Sequence, residues 1–354
     1  MSGLTACLWV LAGVAGAASA ADTRYSVTHA LPMPGVTGWD YLAVDPDRRT
    51  LYLTDSSGLI AFDIDAMESR GTVPTDLKVT GVGLLHAVAF DRARRHGFLV
   101  HEVPAGVVVF DLASRKHLTV IPTAPGPDAM AFDAATDRLF VLSSKVEGVH
   151  TVTVIDAATL KDIGRVPLPG RPEFAVTDGA GNLFVNLADR NAVARVDTRA
   201  MKVVAVWPLQ GCSEPSGLAI DIQHARLFVS CDNSTLAMVD SHTGKVLASI
   251  PTGDGTDAVG FDATTDTVFA SNGESTTLTV AHEDSPSTLR VLQQLPTAPG
   301  ARTLAVDART HRVFLLAGEY GEAPKKPTAE NPHRYPLIRA GSARLLVVAP
   351  TGSI

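Results

Sequence analysis

Charge is scarce in this 354-residue chain: Asp, Glu, Lys and Arg make up 19% of it, against 45% apolar residues. A chain of that balance buries most of what it has, which excludes a disordered or coiled-coil protein. Cationic clusters are missing as well. With 30 Lys and Arg against 37 Asp and Glu, and a net charge of −7, nothing concentrates positive charge as binding to a phosphate backbone requires, so general nucleic-acid binding is not expected. Beyond residue 20 no apolar run approaches the roughly 18 residues of a membrane helix. Catalytic signatures are also wanting. There is no G-x-S-x-G elbow, Walker loop, complete G-x-G-x-x-G, C-x-x-C-H haem site or H-E-x-x-H.

What is present begins with residues 1–20, which hold no Asp, Glu, Lys or Arg and run from Leu8-Trp9-Val10-Leu11 into Ala18-Ser19-Ala20. This reads as a secretory signal cut before Ala21, with residues 21–354 as one mature, periplasmic or secreted domain. The missing positive segment before the apolar run leaves a misassigned start or a retained short anchor open. Cleavage would remove Cys7 and leave Cys212 and Cys231, 19 residues apart, as a disulfide pair in an oxidising compartment.

An apolar segment ending in Asp recurs seven times, at Asp45, Asp91, Asp133, Asp178, Asp221, Asp262 and Asp307, with spacings of 46, 42, 45, 43, 41 and 45. Six or seven residues after each comes an aromatic inside a second apolar run: Tyr52, Phe98, Phe140, Phe184, Phe228, Phe269 and Phe314. A third run ends in Asp in five repeats and a fourth leads to Pro or Gly. Four short strands per repeat and seven repeats predict an all-β, seven-bladed propeller of four-stranded blades. The last repeat stops after its third strand, so the segment Tyr25–Pro32 is expected to supply the fourth and close the ring. The repeated Asp residues are expected to cap turns, and the seven aromatics to be core between blades.

The segments Leu51-Tyr52-Leu53-Thr54-Asp55, Leu227-Phe228-Val229-Ser230-Cys231 and Val268-Phe269-Ala270-Ser271-Asn272 look like degenerate Tyr-Val-Thr-Asn repeats. In them the chain resembles the exported YVTN-repeat, YncE-like propellers, within the wider WD40-like class, over nearly its whole mature length. The resemblance implies the architecture but no particular activity, since the fold hosts binding proteins, scaffolds and enzymes.

Five residues before each first-strand Asp stand Asp40, His86, Asp128, Glu173, Ser216, Asp257 and Arg302. In a propeller these positions ring one mouth of the central channel, and four acids against one Arg make that mouth electronegative. The tier is either a ligand site or a row of residues polar only because they border water. A hairpin pairing Phe90 with Phe98 would bring His86 beside His101 and Glu102, a candidate divalent-metal set. The segment 318–341 departs furthest from the repeat and reads either as a lid carrying Tyr320, His333, Arg334 and Tyr335 or as a disordered insertion. Together these features point to an exported, monomeric, non-enzymatic propeller that binds a small ligand, peptide or partner protein at its channel mouth through Asp40, His86, Asp128, Glu173, Asp257 and Arg302. The alternative is a metal-assisted hydrolase, lactonase or lyase whose mouth carboxylates hold a divalent cation.

Overall fold

Alternation of buried β-branched and aromatic residues with turn-forming Asp and Gly commits each repeat to a four-stranded antiparallel meander. The computed structural model describes residues 23–77, 80–144, 148 and 150–352. The predicted leader, with Cys7, lies outside them. The described residues form seven four-stranded sheets. Blade one comprises Trp39–Asp45, Thr50–Asp55, Gly58–Asp63 and Glu68–Val73, and five more blades follow in the same order along the chain. Among the described residues no helix is long and apolar enough to cross a membrane.

The second strand of each blade is the most deeply buried, and Tyr52, Phe98, Phe140, Phe184, Phe228, Phe269 and Phe314 are all at most 1% exposed. The outer, fourth strands are far more exposed, and Lys202–Pro208 alternates exposed and half-buried residues. The first-strand Asp residues cap the turns that follow them, as in Asp45, whose Oδ1 accepts from Asp47 N at 3.1 Å, and Asp178, which accepts from Ala180 N at 2.8 Å. Local turn chemistry thus accounts for the repeat.

The last blade is completed as the sequence predicts. Tyr25–Pro32 lies antiparallel to Arg344–Pro350, in the order N-terminal strand, third, second, first. Tyr25 is 1% exposed, its ring sits edge-on to Phe269 at 5.1 Å, and the Gln293 amide holds its backbone N and O at 3.0 Å each. The N-terminal strand therefore closes the ring and also braces blade six.

Cys212, just before the first strand of blade five, is disulfide-bonded to Cys231 at the end of its second strand, with a Cα separation of 5.2 Å. Both are buried. Replacing both with Ala is expected to cost about 3 kcal/mol through the freed unfolded chain, read as a lower urea midpoint. Non-reduced peptide mapping should show the two linked, and two thiols open to alkylation in protein made and purified without reductant would contradict the bond.

Candidate mouth site of the propeller channel

The predicted tier sits at a repeated backbone irregularity. In blades one to six the first strand gains one residue on its partner at the same place, between Trp39 and Leu42, Leu85 and Val88, Pro127 and Met130, Pro172 and Ala175, Pro215 and Leu218, and Thr256 and Val259. Asp40, His86, Asp128, Glu173, Ser216 and Asp257 are each the first residue inside this bulge. A bulge re-aims side chains that a regular strand would alternate. The register expected for blade two is corrected as well. Phe98 lies opposite Ala89 rather than Phe90, and His101 lies opposite Leu85.

Polar residues of the second strands fix two of these bulges, and the matching blade-seven position, from the neighbouring blade. Asn186 Nδ2 donates to Ser216 O at 2.7 Å, Ser230 Oγ donates to Asp257 O at 2.7 Å, and Ser271 Oγ donates to Arg302 O. All three side chains are fully buried. Sequence reasoning passed over them, although a polar residue inside an otherwise apolar second strand is a readable signal.

The tier residues converge. His86, 1% exposed, places Nδ1 at 2.6 Å from Asp40 Oδ2 and 3.2 Å from Asp128 Oδ1, while its Nε2 lies 3.5 Å from Glu102 Oε2. Arg302 donates to Asp257 at 2.7 Å and to Asp40 at 3.1 Å, and Ser216 Oγ donates to Asp257 at 2.8 Å. Burial works against the Arg302 charge, but the Asp257 and Asp40 carboxylates outweigh it and hold the guanidinium above its ordinary pKa. Glu173, paired with Arg171, is pushed up to about 7, chiefly by burial and then by Asp128, with Arg171 opposing.

Below the tier, Tyr41 and Phe174, the second bulge residues of blades one and four, meet across the channel with ring centroids 4.9 Å apart. These two large side chains form a floor to the mouth. Burial, reinforced by Asp128, Asp40, Glu173 and Asp257, holds the Tyr41 hydroxyl well above its usual pKa, so it stays neutral.

The blade-seven segment 318–341 crosses this mouth and is anchored at several points. Val82 N donates to Glu330 O at 2.8 Å, Ile338 N donates to Thr37 O at 2.9 Å, and His333 Nε2 lies 3.0 Å from both Glu102 carboxylate oxygens. Tyr320 stacks on Trp39 at 6.3 Å. Of the predicted lid residues, Tyr320, His333 and Tyr335 face a cavity of about 590 Å³, whereas Arg334 is not among its lining residues and donates instead to Pro324 O. Asp40, His86, Asp128, Glu173, Asp257 and Arg302 all line that cavity. A second space of about 610 Å³ adjoins it through Arg171, Glu173, Asp257, Arg302 and Tyr320, and takes in Ser216.

The metal set expected at His86, His101 and Glu102 is redrawn. The mouth group whose ligand atoms lie within 4.8 Å of one another is Asp40, His86 and Asp128. His101 is not in it, because it occupies a strand position facing the sheet interior. There it is 1% exposed, with neither ring nitrogen hydrogen-bonded among the described residues, and burial pushes its pKa down to about 4. Two carboxylates and an imidazole suit a divalent ion such as zinc or manganese, provided that Nδ1 gives up its contacts to both acids.

No protein-family model and no curated protein matches the sequence. Solved structures do. The chain is similar to the RRP9 WD40 repeats with a TM-score of 0.72 at 12% identity, covering 92% of this chain and 99% of that one. It is also similar to a chain of the mitotic checkpoint complex (0.71, 13% identity, 88% and 96%) and to one of Kuenenia stuttgartiensis hydrazine synthase (0.68, 13% identity, 79% and 93%). At such identities the likeness is one of fold: a seven-bladed propeller of the WD40 kind.

Proposed function

We propose that this chain is an exported, non-enzymatic propeller that captures a ligand bearing a cationic group in the loop-covered mouth of its channel. One observation carries the reading: Asp40, Asp128, Glu173 and Asp257 converge with the rings of Tyr41, Phe174, Trp39, Tyr320 and Tyr335 on a single cavity of about 590 Å³. Carboxylates attract a cation over distance, and aromatic faces bind it once it is desolvated. The volume suits a small molecule. Half-exposed Tyr320 and Tyr335 also leave room for a basic side chain of a peptide or partner protein, in keeping with the occurrence of a similar propeller in the mitotic checkpoint complex. The Cys212–Cys231 bond supports a periplasmic or secreted location.

Screening the protein by thermal shift in the presence of chelator, against primary and quaternary amines and basic peptides, should reveal ligands that raise Tm. Calorimetry then gives their affinity. A second reading, metal-assisted hydrolase, lactonase or lyase, draws on the proximity of Asp40, His86 and Asp128, where a bound ion would polarise an ester or lactone carbonyl. Hydrolysis that chelator abolishes and metal restores, with no cation bound by chelated protein, would replace the first reading with the second.

A further inference from the structure

We propose a divalent-metal site on the face of the propeller opposite the mouth, at the seam between blades five and six, formed by Asp221, His224 and Glu283. One ligand atom from each lies within 4.8 Å of the others. His224 Nδ1 is 2.5 Å from Asp221 Oδ2 and 4.0 Å from Glu283 Oε1.

Comparison of the seams shows what is unusual here. At three other seams the Asp ending a first strand accepts from a donor on the following blade. Arg49 pairs with Asp307 at 2.7 Å, His311 lies 2.7 Å from Asp262, and Thr198 Oγ1 donates to Asp133 at 2.7 Å. Glu283 occupies the position in blade six that Thr198 holds in blade four, one residue beyond the partner of the first residue of the second strand. Each also donates its backbone N–H to the preceding turn, at 2.9 and 3.0 Å. A donor is replaced by an acceptor, so two carboxylates face one another where those three seams pair acid with donor.

Glu283 is 5% exposed, and among the described residues neither of its carboxylate oxygens has a hydrogen-bond partner. The nearby cation is committed elsewhere, since Arg226 donates to Asp240, Ala225 O and Pro286 O. Burial and Asp221 push the Glu283 carboxyl up to about 7. A buried, unpartnered carboxylate is costly, and a cation shared with Asp221 and His224 removes that cost. One imidazole and two carboxylates are a zinc-type donor set, with water completing it. The partly exposed His224 side chain supplies the way in.

The test uses Asp128→Asn protein, in which the mouth cluster is broken, dialysed against chelator and titrated with zinc chloride. Calorimetry should show one equivalent bound, with a zinc-dependent rise in Tm. Adding Glu283→Gln should weaken binding at least tenfold and abolish the rise, while the metal-free variant melts no lower than its parent because the amide can donate to Asp221. Should that variant fold poorly, His224→Ala, a change at a turn, gives the same readout. Absence of a zinc-dependent Tm rise in the parent, or a rise of equal size in the variants, would overturn the site.

Discussion

Removing Tyr25–Pro32 is expected to lower Tm by on the order of 10 °C or more and to make the protein aggregate. The strand contributes the outer sheet pairing of blade seven, from Tyr25 opposite Pro350 to Pro32 opposite Arg344. It also contributes the buried ring of Tyr25, whose truncation alone should cost about 3 kcal/mol. Each ladder hydrogen bond adds a net ~1 kcal/mol. The total is several kcal/mol, set against a net stability of about 5–15 kcal/mol for ordinary domains. Deletion would also bare the Arg344–Pro350 edge, a template for strand addition, and remove the contacts of the Gln293 amide with Tyr25. Size exclusion and a circular-dichroism melt decide the matter. A truncated protein that does not aggregate and melts within about 2 °C of the parent would mean that blade seven closes without this strand.

The closure was legible because it is a counting argument: a repeat lacking one strand and a spare strand at the other end. The tier of Asp40, His86, Asp128, Glu173, Asp257 and Arg302 was legible for a similar reason, as a column at fixed offset from a repeated Asp. What the column cannot show is the bulge, because one extra residue in the first strand leaves the spacing from Asp to aromatic unchanged while shifting the partner of His101 from His86 to Leu85. Contacts across the ring were equally hidden. Tyr41 meets Phe174 from three blades away, and His333 reaches Glu102 across 231 positions, distances over which no local pattern speaks. Treating the seven Asp residues as uniform turn caps also concealed Asp221. Its turn chemistry is the same as that of the others, and only the residue facing it, Glu283, sets it apart.

Neutralising the mouth with Asp128→Asn and Glu173→Gln together is expected to weaken binding of a cationic ligand about a hundredfold. Each change removes a charge-assisted contact worth on the order of 1.5–3 kcal/mol, roughly tenfold or more in affinity. The two sites are coupled, because Asp128 helps to raise Glu173, so the single variants carry separate information. In the parent, Glu173 ionises in the fold only as pH passes about 7, and cation affinity should climb from pH 6 to pH 8. Asp128→Asn should move that rise to lower pH, and Glu173→Gln should flatten it. Stability runs the other way. A carboxyl raised in the fold gives stability that is complete below its unfolded pKa near 4.5 and is lost as pH climbs through about 7. The Glu173 side chain is 23% exposed, and the loss by pH 8 should be on the order of 1–3 kcal/mol. Glu173→Gln escapes that loss and should melt above the parent at pH 8 while binding the cation more weakly. Opposite signs for stability and affinity in one variant are what a binding carboxylate requires and what a merely wetted channel residue would not give. Affinity that ignores both pH and the double substitution would move the cation's seat away from these carboxylates, to the Tyr320, His333 and Tyr335 side of the cavity.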